Sequence, residues 1–404
     1  MYTKSSQLNR EKRIFIFLLF CLPGALYWAM RGADGYGGIS GAIIPGLMWG
    51  MAWYLLDAKN SIKSYWIGAA CAVGFGIGGW NGYGQFVAWS YGKFHVVSPN
   101  YMIDINPVIG YLWMFAVGFG WGGVGGFFLS TALRPEKKAI PFIIRFLCIP
   151  IGATTGALIV SKNPQIFAPF YSSSFYAPEH CTDCARTLNT LPIVGAFCGI
   201  TLTGLLYDIV RKRGFSAIVI LICAFGFGSA FVIATPTQLL NQSSIRFDWW
   251  KVWEMSIGAI GGFSIACVYL LNKKIRPSAS PKNNPSFLIV SFIVICWAFV
   301  NCAILVFDKT GIKMASPIPI LAIALFAVFA LYFLIRDYKS SIASNGIPFF
   351  KLAKKRFFVI HTILSIFSFV VTFSCKPVMT AFIILSALIY FLIATTKFNV
   401  NDAA

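Results

Sequence analysis

The chain contains 404 residues with a mean hydropathy of +0.74, and 58% of them are hydrophobic while only 11% are charged. In soluble domains about a quarter of all residues are charged, and these residues cover the surface. The composition therefore excludes a set of soluble domains and favours a chain that is solvated by lipid. The 33 Lys and Arg outnumber the 13 Asp and Glu and give a net charge of +20, which raises the question of a nucleic-acid partner.

Long apolar stretches recur along the whole sequence. A transmembrane helix needs about 20 mostly apolar residues, and about twelve stretches qualify. They lie at residues 13–30, 39–56, 64–80, 107–133, 139–160, 189–209, 215–234, 250–272, 286–307, 317–336, 355–374 and 377–395. The first lacks the small-residue cleavage site of a secretory signal, so we interpret it as a retained helix. The last two are close enough in sequence to form a re-entrant hairpin instead. The pattern predicts an all-α polytopic integral membrane protein.

The basic residues are unevenly divided between the loops that connect these stretches. When the loops are assigned to alternate sides of a membrane, most Lys and Arg fall on the side that holds both termini. The positive-inside rule places that side in the cytoplasm. We therefore expect a cell (inner) membrane protein whose positive charge faces the headgroups of the lipid bilayer, with no nucleic-acid partner.

The glycine-rich helices before residue 275 contain similar motifs in the same order. Span 3 has CAVGFG and span 7 has CAFGFG, which matches Cys71 with Cys223, while spans 4 and 8 match Trp113 with Trp253. We interpret spans 1–4 and spans 5–8 as two parallel four-helix repeats. The predicted units are residues 1–138, residues 139–274, a cytoplasmic linker at 275–285 and an accessory C-terminal four-helix bundle at 286–404.

The glycines themselves have two interpretations. Small residues at spacings of three and four let helix backbones approach closely, and this is the interpretation we favour for most of them. The alternative is unwound backbone that faces a substrate. In the runs at 31–38 and 74–84 glycine is too frequent for a good helix, and there we expect backbone that lines a cavity or forms a tight turn.

Polar residues of the core spans concentrate at the end that the charge rule places outside the cell. Ionisable residues at membrane depth are costly and need a partner or a function. Glu254 lies about one turn inside span 8, on the side of the helix that carries Gly258 and Gly262, and its candidate partners are Arg31 and Lys251. The predicted substrate-binding residues are Arg31, Asp34, Asn81, Gln85, Asp104 and Glu254.

Two further polar features have simpler interpretations. Cys181 and Cys184 lie in an outer loop next to His180, which is one ligand short of a tetrahedral metal site, so a local disulfide is predicted and no metal is expected. Arg145 lies about a turn inside span 5, where we expect its side chain to extend to the lipid headgroups. No nucleotide-binding or hydrolase motif is present in the sequence, and we expect no cofactor.

These features predict a membrane transporter or a solute-conducting protein for a small polar solute, and an anion is one candidate. The site would lie between the two repeats near the extracytoplasmic face. The alternative is a polytopic enzyme that acts on a lipid-linked or exported saccharide at the outer leaflet, with Asp34, Asp104 or Glu254 as acid or base. A scaffold without a small-molecule site is a third class. The sequence assigns no catalytic residue and no oligomeric state.

Overall fold

A computed structural model describes residues 10–31, 38–56, 61–95, 102–136, 138–171, 176, 182–242 and 248–274. Within these ranges the chain forms ten α-helices, two 3-10 helices and one hairpin of two short strands. The α-helices are α1 (Arg10–Arg31), α2 (Gly38–Leu56), α3 (Ser61–Ile77), α4 (Gly84–Ser90), α5 (Pro107–Leu133), α6 (Ala139–Lys162), α7 (Pro164–Phe167), α8 (Thr182–Val210), α9 (Gly214–Ala234) and α10 (Trp249–Lys274). The 3-10 helices are Gly78–Trp80 and Thr235–Gln242, and the strands are β1 (Lys93–His95) and β2 (Met102–Asp104).

Several predicted features lie outside the described residues. These are the linker and the C-terminal bundle, Asp34, Cys181 and the side chain of Cys184.

The apolar helices follow the first eight predicted spans closely. Five of them are long and apolar enough to cross a membrane: Pro107–Leu133, Ala139–Lys162, Arg186–Val210, Gly214–Asn241 and Trp249–Lys273. Three shorter apolar stretches correspond to the first three predicted spans: Ile16–Ala29, Gly41–Gly50 and Trp66–Trp80. By length and composition, these helices fit a multi-pass membrane protein in a lipid bilayer.

Six helices form a closed ring in which each packs on its two neighbours. Around the ring the order is α1, α2, α3, α5, α9 and α10, and α10 packs back onto α1. Helices α6 and α8 pack on each other outside the ring, where α8 contacts α5 and α9. The outward surface of α6 and α8 is rich in exposed apolar side chains such as Ile143, Leu147 and Leu206, as expected for a surface that faces lipid.

Glycine allows the closest of these contacts. A Cβ atom on Gly258 would lie 2.1 Å from the carbonyl oxygen of Gly24, so α10 and α1 touch through their backbones. The same kind of approach joins other helix pairs: α2 to α3 at Gly50 and Gly68, α5 to α9 at Gly122 and Cys223, and α6 to α8 at Gly156 and Gly195. The packing interpretation is confirmed for these glycines.

Consecutive helices pack in equivalent pairs in both predicted halves. In the first half α1 packs on α2, α2 on α3 and α3 on α5, and in the second half α6 packs on α8, α8 on α9 and α9 on α10. Helix α1 packs on α10 and α5 packs on α9, so both pairs cross the predicted boundary at residue 138. The ring takes four helices from the first half and two from the second, so it is not symmetric between the halves, and the parallel duplication stays a prediction.

Glycine and asparagine direct the chain between α3 and α5. Helix α3 tightens into the 3-10 helix at Gly78–Trp80, where a Cβ on Gly78 would overlap the indole ring of Trp121. The chain then extends at Asn81, with φ −65° and ψ 112°, before α4 begins. The tight-turn interpretation is therefore confirmed for the part of this run after Ile77, where the turn carries Asn81 and Tyr83 to the end of the ring, whereas Gly74 and Gly76 lie within α3. Residues 32–37 of the other glycine run lie outside the described residues.

The backbone contact between α1 and α10 yields a stability prediction. We expect Gly258→Ala to lower the free energy of unfolding by about 1–3 kcal/mol, because the added methyl overlaps the Gly24 carbonyl and forces the helices apart. The matched control is Gly214→Ala at the start of α9, where a Cβ would meet no atom within 4 Å. Melting temperatures of both variants in detergent test this, and equal values would contradict it.

Candidate functional site

Buried aromatic side chains fill the middle of the ring. Five fully buried rings come from five different helices: Trp28, Trp49, Phe75, Trp121 and Phe227. Their rings touch in a continuous set, with centroid distances of 4.8 Å for Trp28 and Trp121, 5.0 Å for Trp49 and Phe75, and 5.1 Å for Phe75 and Phe227. We call these five side chains the aromatic core.

Indole groups also tie the aromatic core to the helix backbones. The Trp121 indole N–H donates to the carbonyl oxygen of Phe75 at 2.7 Å, and the Trp49 indole N–H donates to that of Phe20 at 3.1 Å. Phe75 lies in the last turn of α3, where helix carbonyls lack intrahelical partners. The contact from α5 therefore fixes the end of α3, directly before the turn that carries Tyr83.

Three polar side chains meet at the end of the ring where α1 ends and α10 begins. A guanidinium N–H of Arg31 donates to the Tyr83 hydroxyl, which donates in turn to Glu254 Oε1 at 2.6 Å. Arg31 Nη1 lies 3.7 Å from Glu254 Oε2. Arg31 is 5% exposed and Glu254 is 1% exposed, so the ion pair is removed from water. We call Arg31, Tyr83 and Glu254 the triad.

Aromatic rings surround the cation of the triad. The Arg31 guanidinium carbon lies 4.5 Å from the ring centroid of Trp121, 4.9 Å from that of Tyr83 and 5.3 Å from that of Trp28. A cation at this range is attracted by the negative face of an aromatic ring, more strongly when water is excluded. The triad therefore rests directly on the aromatic core, which fixes the plane of the guanidinium.

Lys251 is buried beside the triad, one helical turn before Glu254. Its side chain is 6% exposed, and its ammonium donates to the Ala29 carbonyl oxygen in the last turn of α1 at 3.4 Å. Helix α10 begins next to it, where the Asp248 carboxylate accepts from the Lys251 backbone N–H at 3.2 Å. In the described part of the chain, the joint between α1 and α10 thus holds two buried cations and one fully buried carboxylate.

Several buried polar atoms near the turn have no hydrogen-bond partner among the described residues. They include Arg31 Nε, Glu254 Oε2, Asn81 Oδ1 and both amide atoms of Gln85. The Asn81 amide does reach the Val117 carbonyl oxygen, at 3.4 Å. Buried polar atoms are nearly always paired in proteins, so a cluster of unpaired ones indicates a place for water or for a ligand.

The structure brings some of the predicted site residues together and separates another. Arg31 and Glu254 form the predicted pair, and Asn81 lies two positions before Tyr83. Gln85 lies in the first turn of α4, and its amide nitrogen is 3.8 Å from the position that a Cβ atom on Gly82 would take. Asp104 lies instead on β2, 85% exposed and paired with Lys93 at 2.5 Å. Asp104 therefore does not join the triad, because it forms an ion pair with Lys93 on the opposite strand of the hairpin.

Sequence reasoning missed Tyr83, which links the two charges of the triad. Tyrosine is common at membrane interfaces and gives no signal by itself. Its position within the WNGYG segment was the available clue, because a chain that turns sharply beside a helix end can present a side chain to the interior of the ring.

A second buried ion pair lies at the opposite end of the helices, and it corrects the prediction for Arg145. Its side chain is fully buried rather than extended to the lipid headgroups. The guanidinium binds Asp208 through two bonds, Nε to Oδ1 at 3.1 Å and Nη2 to Oδ2 at 2.7 Å. It also donates to the hydroxyls of Ser130, at 2.8 Å, and Thr131.

The second cluster also contains the ion pairs of Arg213. Arg213 binds Asp208 at 3.0 Å and Glu136 at 2.7 Å, and the Tyr207 hydroxyl donates to Glu136 at 3.1 Å. The four charges balance, and the cluster joins the ends of α5 and α8 to the starts of α6 and α9. Because its charged groups satisfy one another, the cluster has the properties of a structural clamp rather than of a binding site.

Among the described residues, no group of three His, Cys, Asp or Glu is placed to hold a metal ion. Comparisons with protein-family models, with curated proteins and with solved structures find no match to this chain. The function is therefore inferred from the geometry of the triad and of the ring around it.

Proposed function

We propose that the protein is a membrane transporter for a small polar solute, which binds at the triad within the six-helix ring. The positive-inside rule places the triad near the extracytoplasmic face and both termini in the cytoplasm. About twelve spans cross the cell membrane in this proposal, and the C-terminal ones are an accessory bundle.

The observation that carries the proposal is the burial of Arg31 and Glu254 inside the ring. Charged side chains inside a membrane bundle are expensive, and they usually mark a substrate or ion pathway. A purely structural pair would be expected to satisfy all its polar atoms, as the cluster at Arg145 does. The triad instead leaves Arg31 Nε unpaired, with Asn81 Oδ1 and the Gln85 amide unpaired on the adjacent turn.

The ring also offers a way for such a site to open on alternate sides. Each of the pairs α1 and α10, α2 and α3, and α5 and α9 is joined through backbone contacts at glycine, so each pair is suited to move as a unit. The aromatic core lies beneath the triad and closes the path through the ring. Movement of one pair against the others would open it, as in alternating access by rigid bodies.

Transport is favoured over the enzyme alternative by how the polar groups are arranged. A hydrolytic enzyme on a saccharide needs two acid–base groups that converge on an open cleft. In the described part of the chain, Glu254 is buried against Arg31 and Tyr83, while Asp104 is exposed on the hairpin beside Lys93. A small solute that enters the ring fits this arrangement better.

Uptake into proteoliposomes tests the proposal. The probe is a mixture of isotope-labelled monosaccharides, amino acids and short carboxylic acids, and accumulation is measured by mass spectrometry. We expect the wild-type protein to accumulate at least one of these solutes. Glu254→Gln keeps the side-chain volume and removes the charge, so uptake should fall to the level of protein-free liposomes while the protein remains folded.

The matched control for that experiment is Asp104→Asn, which makes the same chemical change on the exposed hairpin. Its uptake should equal that of the wild type. Wild-type uptake in Glu254→Gln would exclude the triad as the site. A wild-type protein that accumulates no solute above protein-free liposomes would exclude transport of these classes.

A further inference from the structure

Among the described residues, the buried charges at the joint of α1 and α10 do not balance. Arg31 is paired with Glu254, whereas no described carboxylate lies within 4.0 Å of the Lys251 ammonium. Arg31, Lys251 and Glu254 together therefore carry one excess positive charge, and all three are at least nine-tenths buried.

Asp248 does not remove this excess. Its carboxylate accepts from the Lys251 backbone N–H and so caps the start of α10. A carboxylate at that position is already balanced in part by the positive end of the helix dipole, and Asp248 is partly exposed to solvent.

Capping of the α1 carbonyl end is the simplest structural role for Lys251, since cations favour helix C-termini. The single contact to Ala29 is 3.4 Å long, however, and an ammonium has three N–H donors that normally bond at about 2.7–3.2 Å. Arg31 Nε also lacks a partner among the described residues. Two cationic groups at one buried joint thus retain unused donors, which a helix cap does not require.

We propose that the site binds a small monovalent anion, whose head group accepts from Lys251 and from Arg31 Nε. One negative charge would neutralise the joint, whereas a neutral solute would leave the excess and a dianion would reverse it. Asn81 and Gln85, on the adjacent turn, supply unpaired amide groups for the uncharged polar part of such a solute. The inference depends on the proposed function only for the transport of this anion, and its binding can be measured separately.

The test uses the purified full-length protein in detergent and a chloride-free buffer. The probes are two matched pairs, L-lactate with propane-1,2-diol and D-glucuronate with D-glucose, and the melting temperature is followed as each is titrated. We expect at least one monoanion to raise the melting temperature in a saturable way, and its neutral counterpart to have no effect. Succinate, a dianion, should bind more weakly than the best monoanion.

Charge variants then assign the binding to Lys251. We expect Lys251→Gln to weaken monoanion affinity at least tenfold, about 1.4 kcal/mol, and Glu254→Gln to retain or strengthen it. Lys93→Gln, which removes an exposed lysine on the hairpin, is the matched control and should bind as the wild type does. Lys251→Arg keeps the charge and should retain part of the affinity if the glutamine variant proves too unstable to measure.

The inference is wrong if neither monoanion binds, if a neutral probe binds as tightly as its acid, or if Lys251→Gln binds normally. It is also wrong if Asp34→Asn strengthens binding and removes the dependence on Lys251, because Asp34 would then be the missing counter-charge. Binding without uptake would exclude transport and leave the inference intact. Uptake of a neutral solute that requires Glu254, without anion binding, would support the proposed function and exclude this inference.

Discussion

Asp208→Ala is expected to destabilise the protein by about 3–5 kcal/mol, because it leaves the fully buried Arg145 without its carboxylate. Asp208 accepts two bonds from Arg145 and one from Arg213, so its removal also releases the loop between α8 and α9. We expect most of the variant to aggregate during extraction, with a large fall in melting temperature for the remainder. Asp104→Asn, an exposed carboxylate paired with Lys93, is the control and should melt as the wild type does.

A double variant separates the loss of the charge pair from the loss of packing. Arg145→Met together with Asp208→Leu replaces the pair by apolar side chains of similar volume, which in other proteins is often neutral or stabilising. We expect it to melt well above Asp208→Ala. If Asp208→Ala alone melts as the wild type does, the cluster is not the clamp inferred from its geometry.

Hydropathy alone located the eight apolar helices of the first 274 residues, but not the short helices α4 and α7. The predicted span at 107–133 coincides with α5, since Asn106 caps its start and Pro107 follows in the first turn. The neighbours of each helix could not be predicted in the same way, because glycine occurs in most spans and any two small-residue faces can pack. Nothing in the sequence indicates that Gly24 should meet Gly258 rather than a glycine of α2.

The candidate site was partly predictable for a physical reason. Charges at membrane depth need one another, so Arg31 could be paired with Glu254 from their positions alone. The prediction for Arg145 was wrong because only the packing of α6 on α8 brings the Asp208 carboxylate to its guanidinium. Asp104 was placed in the site because it precedes a span, and only the pairing of β1 with β2 shows that Lys93 lies opposite.

The second large effect is expected at Arg31. Arg31→Ala should abolish solute uptake and lower the free energy of unfolding by about 3–5 kcal/mol, since Glu254 would lose its ion-pair partner while the Lys251 ammonium donates to the Ala29 carbonyl oxygen instead. The change also removes the contacts of the guanidinium with the rings of Trp28, Tyr83 and Trp121. Uptake and melting temperature of the same preparation measure both effects.

Arg31→Lys distinguishes the charge of this residue from its shape. Lysine keeps the positive charge for Glu254 but loses the planar group that stacks on Trp121 and donates to the Tyr83 hydroxyl. We therefore expect a melting temperature between those of Arg31→Ala and the wild type, with uptake reduced more strongly than stability. If the lysine variant transports normally, a point charge is sufficient at this position. The orientation of the guanidinium by the aromatic core would then be a matter of packing, and solute recognition would depend on the other groups at the joint of α1 and α10.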